Sequence, residues 1–263
     1  MNPAHQNALA DVINLDRWDL TDDAFQARCR TQLDNEGVIV LPDFLSTEAV
    51  SAIQAEGEEH RHQAYFTQGT HNVYLAPNDD NYPPNHPRNR PISSSKGCIT
   101  TDQIPTESAL HSLYENSTFK TFLCKVLNEE ALYEYADPMS SINLHYASEG
   151  QELGWHFDNS SFAITLLIQK PEQGGVFEYV DNLRGQADAW NFNGVESVLD
   201  GEHTPQALTM DPGCLVLFRG RNALHRVTPT VGQTTRLLAV LAYNVEPGIA
   251  LSESARMTFY GRV

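Results

Sequence analysis

The sequence predicts an α+β fold in which helices pack outside a β core. Three observations carry this. Apolar residues recur at helical spacing in several stretches before residue 130. After about residue 140 the chain turns into short apolar or alternating runs divided by Gly, Pro, Asn and Asp, the pattern of a β sandwich or barrel. Helices come first and strands second, with no repeat and no linker between them. Length alone allows one or two domains, and this order favours one over residues 1–263.

Residues 1–20 read as a loosely attached N-terminal arm. Residues 21–35 read as a helix: Thr21 can cap it, Asp22 and Asp23 suit its first turn, and Phe25, Cys29 and Leu33 share a face. Gly37 ends it, and Val38-Ile39-Val40-Leu41 is a short strand. Ser46 caps a second helix reaching about residue 62, with Ala49, Val50 and Ile53 inward. Residues 67–107 are rich in Asn, Pro, Ser and Gly, and carry Arg88, Arg90 and Lys96. A long irregular segment in a compact protein is a linker or a functional lid. Its interspersed Tyr74 and Tyr82 favour an active-site lid.

Residues 108–127 read as helical, with a break at Asn116-Ser117. Residues 132–135 are a candidate strand. Ile142-Asn143-Leu144-His145-Tyr146 alternates. Strands are expected around His156, over 162–168, over 176–180 after Gly174-Gly175, over 206–210, over 214–218 and over 235–244, with a helix at 193–199.

Composition excludes several classes. The chain has 263 residues, 41% of them hydrophobic, enough for a sizeable core. Its net charge of −17 repels a phosphate backbone or an anionic bilayer, so neither nucleic acid nor a membrane is an expected partner. Cys29, Cys98, Cys124 and Cys214 form no CxxC pair, and reduced thiols are expected. The first residues contain no apolar signal region, and no apolar run approaches the ~20 residues that cross a bilayer. A soluble cytoplasmic protein is the expectation, with oligomeric state open.

The chemistry concentrates in Gly154-Trp155-His156-Phe157-Asp158-Asn159. In an extended strand, residues i and i+2 share a face, about 7 Å apart at Cα. His156 and Asp158 then project together, while Trp155 and Phe157 point away into packing. Among ten histidines, His225 is the best second imidazole, because it re-enters structure after the strand ending at Phe218 and a polar turn. Two His and one carboxylate on one face of a metal are the ligand set of non-haem Fe(II) oxygenases. Arg236, eleven residues after His225, opens the apolar run Leu237-Leu238-Ala239-Val240-Leu241. A buried arginine needs an anion. That anion is an acidic side chain or the carboxylate of a bound small acid gripped by the planar fork. The spacing favours the second.

His156-x-Asp158, His225 and Arg236 together resemble the motif of Fe(II)/2-oxoglutarate-dependent dioxygenases. Leu41-Pro42-Asp43-Phe44-Leu45-Ser46 and Gly213-Cys214-Leu215-Val216-Leu217-Phe218 are also similar to that superfamily. The nearer likeness is to its free amino-acid halogenase/hydroxylase branch, which includes carrier-independent lysine chlorinases. That likeness is carried by Gly154 to Asp158, Gly174-Gly175-Val176-Phe177-Glu178-Tyr179-Val180, Leu224-His225-Arg226-Val227-Thr228-Pro229 and Phe259-Tyr260-Gly261-Arg262, and runs from about residue 36 onward. The resemblance implies a double-stranded β-helix (jelly roll, cupin-like) core. It also implies Fe(II) held by His156, Asp158 and His225, with 2-oxoglutarate bound at Arg236 and O2 as the oxidant. The products would be succinate, CO2 and a hydroxylated small metabolite such as a free amino acid. Halogenases of the branch carry Gly or Ala at the position of Asp158, so the carboxylate here points to hydroxylation. Desaturation, cyclisation, or a cupin-like metalloenzyme without 2-oxoglutarate are the alternatives.

Further candidates follow from position. Asn143 and His145 share a strand face and could approach the cosubstrate. Arg90 and Lys96, in the expected lid, could meet a substrate carboxylate. Tyr74 and Asn244 complete the set of substrate candidates.

Overall fold

The computed structural model describes residues 9–185 and 190–263. Eleven strands form one curled antiparallel sheet, in the order β1-β10-β6-β13-β4-β3-β5-β11-β8-β9, with β2 on β3. The strands of its larger half are β1 (Val38–Leu41), β10 (Leu215–Phe218), β6 (Ala163–Gln169), β13 (Arg236–Leu241), β4 (Ile142–Ala147), β3 (Ile92–Thr100) and β2 (Tyr65–His71). The smaller half holds β5 (Leu153–His156), β11 (Leu224–Val227), β8 (Phe177–Val180) and β9 (Gln206–Leu208). β3 joins them: Gly97 to Thr100 pair with β4, whereas Ser94 pairs with Leu153 of β5. A short pair, β7 (Gln173–Gly174) with β12 (Thr230–Val231), stands apart. This is the double-stranded β-helix the sequence leads one to expect.

Strand alternation sorts the side chains into layers. On the outer face of the larger half, Leu144, Tyr146, Ile164, Leu166, Leu237 and Ala239 join the main core. Against it pack α1 (Asp23–Glu36), α2 (Thr47–His60), α3 (Ala109–Glu115) and α4 (Ser117–Leu127). The Tyr146 hydroxyl donates to Gly57 O of α2 at 2.7 Å, tying helix to sheet. The inner face carries a second cluster, with Leu167, Tyr179, Val216 and Phe218. The outer face of the smaller half buries Trp155, Phe157 and Leu224 under Val73, Tyr74 and α5 (Phe192–Leu199).

Capping chemistry sets the helix bounds. Ser46 accepts from Ala49 N, and Asn116 accepts from Thr118 N and Phe119 N, which restarts the helix after the break. Asp22, not Thr21, caps α1, because the Thr21 hydroxyl is bonded to Asp19 instead.

Three expectations change. Residues 9–20 are not a loose arm: Leu9, Val12, Ile13 and Leu20 are buried in the main core, and Ile13 bridges Leu45. Four apolar anchors spread among polar residues escape a composition reading. The 67–107 segment is not irregular throughout. Its ends are β2 and β3, paired over seven residues. Thr67, Thr70, Ser93, Ser94 and Ser95 give that ribbon no apolar alternation, so backbone pairing forms it without a sequence signature. Residues 132–135 make no strand, only a bridge from Tyr133 to Asn244. The C-terminal tail forms α6 (Glu253–Tyr260), and Arg262 binds Asp102 through two 2.7 Å contacts. No helix among the described residues is long and apolar enough to cross a membrane.

Candidate metal centre

β5 ends at His156, and the chain then leaves the sheet. Phe157 N donates to Val73 O at 2.7 Å, Asp158 N donates to Gly220 O at 3.1 Å, and Arg184 Nη1 donates to Asp158 O at 2.9 Å. These three bonds do what a continued strand would have done: they aim the Asp158 carboxylate back beside His156. β11 supplies the third group, since His225 lies directly across from His156 in the antiparallel register. Asp158 Oδ1 is 3.7 Å from His156 Nε2 and 3.5 Å from His225 Nε2. One ligand atom from each residue lies within 4.8 Å of the other two.

Both imidazoles are fixed in the same way. His156 Nδ1 is 2.8 Å from Gly154 O, and His225 Nδ1 is 2.9 Å from Ala223 O. A carbonyl can only accept, so Nδ1 carries the proton and Nε2 presents its lone pair inward. This outer hydrogen bond is what orients metal-binding histidines generally. Phe177 stacks on His225 and Phe218 meets it edge-on, at 5.5 and 4.9 Å between centroids. Burial, together with the neighbouring His225, holds the His156 pKa far below the ordinary histidine value. Burial pushes the Asp158 carboxyl up, but the two neighbouring histidines outweigh it, leaving its pKa below the usual carboxylate value. Two neutral-nitrogen donors and one carboxylate, with Nε2 atoms turned inward, fit a divalent first-row metal.

A basic niche adjoins the triad. Arg236 is 5% exposed, and among the described residues it makes no ion pair and no side-chain hydrogen bond. Desolvation lowers its pKa to about 10. His145 and Lys96 lie beside it on the inner face, with Lys96 Nζ 3.2 Å from His145 Nε2. Burial first, then the charges of Lys96 and Arg236, keep His145 neutral. Burial also pulls the Lys96 pKa below its ordinary value, against the opposing pull of Cys98 and Asp158. Lys96, His145 and Asp158 are deeply enclosed on the inner side of the sheet yet keep some accessible surface.

Four predicted residues are not brought to this centre. Asn143 faces inward one pair further along β4, but its amide donates to Met139 O and Ile142 O, and its carbonyl accepts from Tyr260 Oη. No polar atom of it remains for a cosubstrate. Arg90 is drawn away to Asp200 at 2.6 Å, after α5. Tyr74 stacks on Phe157 at 5.5 Å, on the face opposite the metal ligands. Asn244 lies beyond the far end of β13 from Arg236, bridging Tyr133. His71, not singled out from the sequence, does approach: its ring is 6.2 Å from His156, and its Nε2 is 2.7 Å from Ser94 Oγ. Only the β2–β3 pairing, which has no apolar signature, brings it there.

The fold and the site together define a double-stranded β-helix protein with a two-His, one-carboxylate centre at one end of its barrel. Residues 20–257 match the family model described as Halogenase D, and the chain belongs to that family. No curated protein matches the chain. Solved structures of the same fold include a 2OG-Fe(II) oxygenase family oxidoreductase from Burkholderia pseudomallei, at 12% identity and TM-score 0.54 over 87% of this chain and 94% of that one. A second is SnoK, the non-haem alpha-ketoglutarate-dependent carbocyclase of nogalamycin biosynthesis, at 12% identity and TM-score 0.58 over 90% and 92%. A third is HygX from Streptomyces hygroscopicus, solved with nickel, 2-oxoglutarate and hygromycin B, at 13% identity and TM-score 0.56 over 89% and 95%.

Proposed function

We propose that this protein is an Fe(II)- and 2-oxoglutarate-dependent oxygenase that hydroxylates an unactivated C–H bond of a free amino acid or similar small polar metabolite. The observation that carries the reading is the coincidence of the oriented triad with a buried, unpaired arginine next to it. His156 Nε2, His225 Nε2 and Asp158 Oδ1 would hold Fe(II) on one face. Arg236 would receive the distal carboxylate of 2-oxoglutarate through its planar fork. The two together, when bound, supply O2 activation coupled to oxidative decarboxylation, with succinate and CO2 as products.

The chain's own contribution is orientation and desolvation. The Gly154 and Ala223 carbonyls fix the imidazole planes. Phe177 and Phe218 wall the His225 side with apolar surface, keeping bulk water from it. Asp158 supports hydroxylation within a halogenase-described family, because a protein carboxylate takes the metal position that an external halide would need. The acidic balance of −17 supports an enzyme of small molecules with no nucleic-acid or membrane partner.

Anaerobic addition of Fe(II) and 2-oxoglutarate is expected to produce a weak visible charge-transfer band. Its absence from protein with confirmed metal loading would defeat the reading. Under air, free amino acids screened by succinate release should yield a product heavier by one oxygen atom.

A further inference from the structure

The inner chamber holds more positive charge than one cosubstrate accounts for. Lys96 and Arg236 both face it, and among the described residues Asp158 is the one carboxylate whose charge acts on Lys96. The other chamber bases, His145 and His156, are held neutral. Arg236 is taken by the proposed cosubstrate. Lys96 is then left with a neutral imidazole as its close partner, at 3.2 Å. Among the described residues it forms no ion pair, although the chain carries 34 acidic residues against 17 basic ones. In so acidic a chain, many cations at or near the surface find a carboxylate: Arg90, Lys170, Arg219 and Arg262 all do. A desolvated ammonium without an anion is costly.

Lys96 is also well placed to act. It lies on β3, the strand that joins the two halves of the sheet, two residues from Ser94, which binds His71 and the Gly154 amide. Ser94 and Lys96 share a face of β3, and the His71 ring that Ser94 binds lies 6.2 Å from His156. An anion at Lys96 therefore sits on the inner face toward the metal ligands, across β4 from Arg236. His145 accepts one Lys96 N–H and leaves two donors for that anion.

We infer that Lys96 binds an anionic group of the substrate, so that the substrate is an acidic small molecule of the dicarboxylic amino-acid class. This rests on the oxygenase reading above. Cationic amino acids are disfavoured at the same position by like-charge repulsion from Lys96.

The test uses full-length protein held anaerobically with Fe(II) and 2-oxoglutarate. L-aspartate, L-asparagine, L-glutamate, L-glutamine and L-lysine are the probes, with binding measured by calorimetry and by perturbation of the visible band. One of the two acids is expected to bind at least about tenfold tighter than its amide, and tighter than L-lysine. Lys96→Met should bring acid and amide within about threefold while leaving 2-oxoglutarate affinity unchanged. Lys96→Arg, which keeps the charge, should retain the preference and guards against misfolding as the cause. The inference is overturned if neither acid binds, if the amide or L-lysine binds as tightly, or if the preference survives in Lys96→Met. It is also overturned if Lys96→Met weakens 2-oxoglutarate as Arg236→Met does, which would assign Lys96 to the cosubstrate. Failure of the oxygenase reading itself looks different, since no band would form before any probe is added.

Discussion

Gly220 and Asp158 face each other with no room for a side chain between them: a Cβ at 220 would fall on the Asp158 carboxylate. The same pair is joined by the bond from Asp158 N to Gly220 O. The absence of a side chain at 220 is thus what lets the carboxylate stand between the two Nε2 atoms. Gly220→Ala should displace Asp158 and weaken Fe(II) binding by about tenfold or more, as measured by metal titration. In an Asp158→Ala background the same substitution should cost little more, because its target is gone; additive losses in this double-mutant cycle would mean that Gly220 acts elsewhere.

Among the described residues, Arg236 is a charge buried without a protein anion. Its folded pKa, lowered to about 10 by desolvation, lies below the unfolded value of 12.5. A cation with a depressed pKa is a stability cost below that pH, here of a few kcal/mol, and stability recovers only as pH rises from about 10 toward 12.5. Arg236→Met should therefore leave the ligand-free protein as stable as wild type or more so in thermal melts. It should raise the 2-oxoglutarate dissociation constant by about a hundredfold with Fe(II) affinity unchanged. A large loss of stability would show instead that the guanidinium holds the fold.

Much of this centre is legible in the sequence because its ligands lie in or next to strongly apolar strands. Leu153 to His156 and Leu224 to Val227 declare themselves as structure, and the cross-strand register does the rest. Less legible is how Asp158 arrives. The i, i+2 rule places it on the His156 face through a continuing strand, whereas the strand ends at His156 and three non-local bonds turn the carboxylate inward. His71 is obscured for a related reason, and Lys96 is legible only as a loop cation: a Ser/Thr-rich ribbon forms by backbone pairing, and polar strands carry no period. The assignments of Arg90, Tyr74 and Asn143 failed because their partners are distant in sequence. Asp200, Phe157 and Tyr260 claim them, at separations that no local pattern reports.

The neutral histidines make the metal-free protein sensitive to acid. His145 and His156 have folded pKa values below the unfolded value of 6.5, so the unfolded state binds more protons as pH falls through 6.5. Stability is then full above about 6.5 and declines below it, by up to about 1.4 kcal/mol per pH unit for each group. Urea melts at pH 7.5, 6.5 and 5.5 should show this decline. His145→Gln should reduce its slope by about one proton. An unchanged slope would mean that His145 takes up its proton in the folded chamber without penalty.

Over the smaller half of the sheet, Tyr74 is 3% exposed, stacked on Phe157 and met edge-on by Trp190 and Phe192 at 4.9 and 6.2 Å. Among the described residues its hydroxyl is buried without a hydrogen-bond partner, and burial raises its pKa to about 12. The ring and the hydroxyl therefore act in opposite directions. Tyr74→Phe keeps the stacking and removes an unsatisfied donor, so stability should be unchanged or higher by up to about 1 kcal/mol. Tyr74→Ala removes the ring that holds residues 72–91 against Phe157, directly behind the metal ligands, and should cost about 3 kcal/mol. Because Phe157 lies between His156 and Asp158, that loss should also weaken Fe(II) binding, whereas Arg90→Ala, which breaks an ion pair far from the centre, should leave Fe(II) binding intact and cost under about 1 kcal/mol. Denaturant melts and metal titrations on the three variants check each direction. A Tyr74→Ala protein with unaltered metal affinity would mean that the aromatic layer shapes the outer face alone.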